Sequence, residues 1–469
     1  AALGMPEETL ELVMGLEGGS DRPSFRPGRG TIRHIPRMIA FAARKYRYAK
    51  ELETLIPNLK AAYEDFERRP ISSNGEQTIL EDIEELFAIT QNVAYANIVT
   101  PLLMYAYNAL LRGSLAKRGI DYIQLDLTTG LELMDDYDPS HHLSMLNSQF
   151  RQLEEDVQEK IRASDYEGFQ ALNGIESFQQ EVGVFIRHFG HLSDSGNDFS
   201  SRPWRETPEL LLRMIAAFGQ ETTEKQSTLA WDDLPLSRLD RWRLRGLYAR
   251  ARQYRYYREA VSFLYTYGYG LFRACFLRLG ESFAERGLID QPEDIFYLYF
   301  DEVKSLVEDG SSAAPLQEVV GKRKQEMEAC QDASLPDTIY GNQAPPLESV
   351  RRSSERLVGI ATSPGYYQGP VRVIRSVSEF EQLQQGDVLV IPYSDVSWTP
   401  LFSKAGAVIA ESGGILSHSS IVAREYQIPA VVSVPEAIMR LKEGVVVTVD
   451  GYAGEIIAHA EGALSANMI

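Results

Sequence analysis

The spacing of apolar and polar residues changes once along the chain, near residue 335. Before that point apolar residues recur every three or four positions, the spacing of an amphipathic helix. The pattern predicts a short helix over 1–16, with Leu10, Leu12, Val13 and Leu16 on its apolar side. Longer helices are expected over 36–69 and 76–117, the second carrying Ile79, Ile83, Leu86, Phe87 and Ile89. Asp138-Pro139 and Thr207-Pro208 each read as an N-cap followed by a first helical residue. The helix after Asp138 is expected to run to about 164. Another covers 174–189 and stops at Gly190, and a long one, rich in Tyr and Arg, covers 237–285. Residues 292–299 include a strand-like run, and 312–334 form a last helix. Two polar loops, 18–30 and 191–205, are long enough to carry function.

After the change the runs are short and β-rich: 371–374, 387–391, 407–409, 430–434, 445–449 and 455–458. Helical segments near 378–384, 398–404, 419–426 and 435–442 separate some of them, and Asp450-Gly451 reads as a hairpin-type turn. The expected organisation is a large, mainly α-helical domain over 1–335, a linker or hinge of turn composition over 336–355, and a compact mixed β/α domain over 356–460.

Composition narrows the function. A chain of 469 residues suggests roughly two to four domains. Its net charge of −19 argues against a nucleic-acid phosphate-binding surface. Cys275 and Cys330 stand apart and form no CxxC, which argues against a disulfide framework or a cysteine zinc site and fits a reducing cytoplasm. No apolar run is expected to reach membrane-span length, so no membrane partner is expected. The chain opens Ala-Ala-Leu-Gly, with neither Met nor a signal pattern, and reads as a fragment or a processed piece.

The chemistry concentrates in 411–424, Glu-Ser-Gly-Gly-Ile-Leu-Ser-His-Ser-Ser-Ile-Val-Ala-Arg. The pattern is a strand, a turn at Gly413-Gly414, then a helix whose first turn holds His418 between Ser417 and Ser419. The unpaired N–H groups and partial positive charge of a helix start favour an anion. Imidazole is a nucleophile near neutral pH. Together they describe a histidine able to take up a phosphoryl group and hold it. Ser417 and Ser419 can donate to phosphate or merely cap the helix. Arg424 can pair with phosphate or with Glu425 or Glu411; Thr399 and Asp395 lie in a loop bordering His418 or simply shape a turn.

Other motifs accompany it: Thr362-Ser363-Pro364-Gly365, Gly369-Pro370-Val371, Gly386-Asp387-Val388-Leu389-Val390, Ser394 to Phe402, Val422-Ala423-Arg424-Glu425, Ile428-Pro429-Ala430 and Val449-Asp450-Gly451. In order and spacing over about a hundred residues this set closely resembles the phosphohistidine swivelling domain of the PEP-utilising enzymes. The resemblance implies a β/β/α fold with His418 as the phosphorylated residue. It also implies an ATP-grasp domain that binds ATP and Mg2+ and passes the β-phosphoryl group to the histidine, and a swing of the domain to a second site. No glycine-rich ATP-binding segment is recognisable in 1–335, so that donor domain is expected outside this chain, as a partner. A helical domain ahead of the histidine domain, with no pyruvate-binding barrel after it, resembles the rifamycin phosphotransferase order, in which the helical domain binds a small-molecule acceptor.

The helical segments 185–206 and 278–298 resemble that domain more loosely. Within them His191, Asp194 and Asn197 are candidates to orient an acceptor hydroxyl, with His188 beside them; buried structural hydrogen bonding is the competing reading. His188, His191, Asp194 and Asp198 also have a spacing open to metal binding, but no metal site is assigned. On the long helix Leu247, Ala251, Tyr254, Arg258, Val261 and Tyr265 share one face, so Arg258 needs an anionic partner, either an incoming phosphoryl group or a structural carboxylate. Glu259 reads as an exposed intrahelical partner of Arg255. Three other readings remain: a phosphoryl-activating ligase of the prodigiosin-synthesising type, a truncated phosphoenolpyruvate synthase, or a non-catalytic binding module.

Overall fold

The computed structural model describes residues 35–71, 75–120, 122, 125, 136–163, 165–196, 198–218, 229–308, 310, 315–329, 356–414 and 417–459, with backbone only for 35–44 and 46. The expected helix over 1–16, the loop 18–30, the hinge 336–355 and Asn197 lie outside the described residues.

Three long helices form the frame: α1 (Ile35–Glu67), α2 (Glu76–Ala116) and, later in the chain, a 48-residue helix. Their buried residues explain why. In α1 Tyr48, Leu52, Ile56, Leu59, Tyr63 and Phe66 recur every three or four positions and put one stripe inside. In α2 Ile79, Ile83, Leu86, Val93 and Val99 do the same. Shorter helices follow: α3 (Pro139–Phe150), α4 (Glu155–Ala163), α5 (Tyr166–Gln170), α6 (Glu176–Phe189) and α7 (Pro208–Ala217). Then comes the long α8 (Arg238–Glu285), capped by the Ser237 side chain, followed by α9 (Phe300–Glu308) and α10 (Leu316–Ala329).

Three expectations need correction. The helix after Asp138 ends at Phe150 and restarts at Glu155, although Asp138 caps it through Ser140 N as expected. The strand-like run near 292 is a 3-10 helix, Pro292–Tyr297, because Gln291 and Asp294 form a capping box with proline at its start. And α2 is, by length and composition, apolar enough to cross a membrane; here it packs along α8 and supplies core residues.

The C-terminal part is one eight-stranded sheet in the order β1-β8-β7-β3-β4-β5-β6-β2. The strands are β1 (Arg356–Val358), β2 (Ile360–Ser363), β3 (Tyr366–Val373), β4 (Val388–Ile391), β5 (Ala407–Ala410), β6 (Ala430–Val432), β7 (Val446–Asp450) and β8 (Glu455–Ala458). The run β3-β4-β5-β6 is parallel, and antiparallel pairs close both sides. Short helices α11 (Thr399–Phe402), α12 (His418–Glu425) and α13 (Ala437–Arg440) connect the parallel strands or follow them. Strand alternation sorts the core. Val371, Val388, Val390, Ala407, Ile409 and Val431 face one side, with Val447, Val449 and Ile456. Leu389, Ile391, Val408, Ala410, Ala430 and Val432 face the other, and join a cluster continuous with the helical core through Val396, Trp398, Leu401 and Phe402. The sheet therefore presents one face, with α11 and α12, to the helical part.

Candidate functional site

His418 is the first residue of α12, directly after its N-cap. The Ser417 hydroxyl accepts from Ser420 N at 3.4 Å and lies 2.9 Å from the Ser420 hydroxyl. Ser420 Oγ in turn donates to Gly414 O at 2.7 Å, and Ser433 Oγ donates to Gly413 O at 2.5 Å. The turn is thus tied from both ends. Gly413 has φ +133°, and a Cβ there would meet Ser417 Oγ at 2.8 Å, so only glycine fits beside the cap.

Both ring nitrogens of His418 are engaged. Arg258 Nη2, on α8, lies 3.0 Å from Nδ1, and Thr399 Oγ1, on α11, lies 3.0 Å from Nε2. A guanidinium can only donate, so Nδ1 accepts. The neutral ring then carries its proton on Nε2 and donates it to Thr399 Oγ1. Burial first, and then the Arg258 charge, hold the His418 pKa well below its ordinary value, which keeps the ring neutral. In this pose the imidazole has no free lone pair.

Arg258 is 5% exposed and also pairs with Glu259. Glu259 is therefore partner to Arg258, where the sequence suggested Arg255. Arg255 reaches across the interface instead: its Nη2 lies 2.7 Å from Glu425 Oε1, an ion pair without hydrogen-bond alignment. Burial pushes Glu425 up to about 7, against the lowering influence of Arg255.

The remaining expected site residues have other placements. Ser419 is buried and bonded to Ser394 Oγ at 2.7 Å. Arg424 donates to Thr362 O at 2.9 Å, and Glu411 accepts from Ile438 N, so neither joins the other as the sequence allowed. Burial lowers Arg424 to about 10. Of the expected phosphate-environment side chains, Thr399 alone bonds the His418 ring among the described residues. His188 Nε2 is bonded to Asp136 O at 2.6 Å, and burial lowers its pKa. His191 is buried against the rings of Phe263 and Tyr267; its pKa is held well below the ordinary value, chiefly by burial.

Asp194 is taken up by domain contact. Its Oδ2 accepts from Ser376 Oγ at 2.5 Å and its carbonyl from Trp398 Nε1 at 2.9 Å. Two residues on, Gly196 N donates to Asp395 Oδ2 at 2.8 Å. A Cβ on Gly196 would fall 2.4 Å from Thr266 Cγ2 and 2.5 Å from Asp395 Oδ2, so the backbone must come this close. The loop after α6 is itself anchored by Arg273, 2% exposed, which holds Glu206 through two bonds of 2.7 Å and the carbonyls of Phe199 and Ser200. Sequence reasoning missed Trp398 and Ser376 as interface residues and Arg273 as the anchor of the loop behind them; an arginine amid the apolar stretch 271–276 was the one available signal. Among the described residues no three or more His, Cys, Asp or Glu side chains are grouped as a metal ion would need.

Known proteins resemble both parts. Residues 383–454 match the family described as PEP-utilising enzyme, mobile domain, and residues 92–259 match rifampicin phosphotransferase fourth domain. A Bacillus subtilis protein named "Uncharacterized phosphotransferase YvkC" is 32% identical over 64% of this chain and 38% of its own length. A rifampicin phosphotransferase of Streptomyces sviceus is 28% identical over 62% of this chain and 34% of its own. One of Bacillus cereus is 25% identical over 60% and 35%. The chain thus spans a little over a third of the length of these relatives.

Proposed function

We propose, from the premise that the chain joins a PEP-utilising mobile domain to a helical domain of the rifampicin phosphotransferase type, that it is the carrier and acceptor portion of a phosphotransferase, with His418 as the carrier. The observation that supports this most directly is the His418 ring held between Arg258 of the helical part and Thr399 of its own domain. A histidine at a helix start, facing a cation across a domain boundary, suits receipt and delivery of an anionic group.

ATP, bound with Mg2+ by an ATP-grasp domain outside this chain, supplies the phosphoryl group. On loading, an Nε2–P bond to the β-phosphorus forms as its P–O bond to AMP breaks, the γ-phosphoryl group passes to water as inorganic phosphate, and the ring proton leaves to solvent. Nε2 is the atom that can carry the group while Arg258 keeps Nδ1. Thr399 then donates to a phosphoryl oxygen in place of accepting the ring proton. On delivery the N–P bond breaks, a P–O bond forms to an acceptor hydroxyl, and that hydroxyl's proton returns to Nε2. The ring as it stands, protonated on Nε2, is the discharged form. Arg258 offsets charge on the phosphoryl group in flight. A small-molecule acceptor binds on the helical part, beside α8. Hydrogen bonds from Ser376 and Trp398 to Asp194, and from Gly196 to Asp395, hold the two parts in register for delivery.

The test supplies the chain with an ATP-grasp partner and ATP labelled in the β-phosphoryl group. Acid-labile, alkali-stable label that disappears in His418→Ala is expected. Label that persists in that variant, or none in the native chain, refutes the carrier role.

A further inference from the structure

A large cavity lies on the other side of α8 from His418. It holds about 1240 Å³ and is lined by α1 residues Leu52, Glu53, Ile56 and Pro57, by residues 230–232, and by α8 from Arg238 to Tyr257. On α8 its wall includes Arg238, Arg241, Trp242, Arg245, Tyr248 and Arg252. These recur at three- and four-residue spacing and so share one helix face. Arg258 follows Tyr256, which lies on that face, by two residues, which places it about 200° around the axis. The cavity and the phosphoryl site therefore use opposite faces of one helix.

Its lining has a definite chemistry. Trp231 and Tyr248, both in its wall, stack on one another with ring centroids 4.3 Å apart and planes at 13° and stiffen that wall. Trp242 stands 74% exposed at the rim. Four arginines face two carboxylates, in a chain whose net charge is −19. Two of the arginines are fixed: Arg241 donates to Leu234 O at 2.8 Å, and Arg252 lies over the Tyr248 ring at 5.5 Å. Among the described residues Arg238 and Arg245 have no carboxylate partner, and both are exposed. Of the two carboxylates, Glu53 is occupied by Gln253 Nε2 at 3.1 Å and Tyr257 Oη at 3.4 Å.

We infer that this cavity is a second ligand site, for a planar aromatic anion of small-molecule size. The exposed Trp242 ring takes the ligand's ring face, and Arg238 and Arg245 take the carboxylate, sulfonate or phosphate at the rim. Ligand pockets usually hold about 300–1,000 Å³, so the space admits a fused ring system. The site is independent of phosphoryl chemistry at His418, and its ligand is an effector or cargo that the carrier does not touch in this pose.

The experiment titrates the full chain with 2-naphthoate, following tryptophan fluorescence and heat. Cyclohexanecarboxylate and 2-naphthylmethanol serve as probes lacking the aromatic face or the charge. Saturable binding of 2-naphthoate is expected, with both comparison compounds about tenfold weaker or worse. Trp242→Ala and Arg245→Gln, both at exposed positions, each weaken it about tenfold, while His418→Ala leaves it unchanged. The inference fails if 2-naphthoate does not saturate by about 10 mM. It fails equally if the neutral probe binds as well, if both rim variants bind normally, or if His418→Ala abolishes binding.

Discussion

Replacing Arg258 by Gln separates the two halves of the proposed cycle. The guanidinium donates to His418 Nδ1 at 3.0 Å from the helical part, so in the proposed cycle it acts on the histidine only in this docked pose. A hydrogen bond to a charged group contributes about 1.5–3 kcal/mol. At about 1.4 kcal/mol per decade, its loss slows delivery by roughly 10- to 150-fold. Loading from ATP should be unchanged. A second effect must be separated from this one. Removing Arg258 strands the Glu259 carboxylate, whose side chain is 14% exposed; breaking a buried pair costs about 3–5 kcal/mol of stability, and this partly exposed pair belongs at the low end. The double variant Arg258→Gln, Glu259→Gln removes the stranded charge as well. The assay is rapid-quench measurement of loading from labelled ATP and of label loss to acceptor from preloaded chain. Melting of both variants runs alongside. Slow delivery that persists in the double variant, with melting temperature recovered, is the expected result. Equal losses in loading and delivery, or delivery within about twofold of native, would refute the assignment.

Acid should release the docked domain. His418 is held well below its ordinary pKa by burial and by Arg258, whereas a released imidazole titrates near 6.5. The His418 contribution to docking is complete above about pH 6.5 and is lost below it, by up to about tenfold per unit, until the docked pKa is reached, while Glu425, raised to about 7, acts in the opposite sense. Energy transfer between dyes on the two parts, followed from pH 8 to 5 in a Glu425→Gln background, reads the His418 effect; a flat profile there contradicts it. Gly196→Ala should loosen docking, because the added Cβ overlaps Thr266 and Asp395, and should slow delivery while sparing loading. Arg273→Ala should lower stability by about 3 kcal/mol, the low end for a buried pair because water reaches the Glu206 carboxylate, visible as an early denaturant midpoint.

The sequence was most legible where local rules govern. Helices α1, α2, α6 and α8 follow from apolar periodicity, and Ser417-His418 from a glycine turn and a cap. Strands β1 and β2 escaped notice because polar residues break their short apolar runs, Arg-Leu-Val and Ile-Ala-Thr-Ser, whereas β4, β5, β6 and β8, no longer, carry unbroken aliphatic runs. Arg258 was conspicuous as a charge in an apolar stripe, but its two partners were not: one is its neighbour, the other lies 160 positions away. The same holds for Asp194. Its partners Ser376 and Trp398 sit about two hundred residues on, and no periodic pattern records such a meeting. A polar loop residue that clamps a domain reads, in sequence, like one that greets a substrate.

The engagement of both His418 nitrogens sets an order of events. A ring whose lone pair is held by Arg258, and whose proton is held by Thr399, cannot attack a nucleotide. For the carrier proposed above, the pose suited to discharge therefore forbids recharge, and the two surfaces must part before another cycle begins. Docking then works as a parking brake: an idle carrier rests where stray phosphoryl donors find nothing to react with.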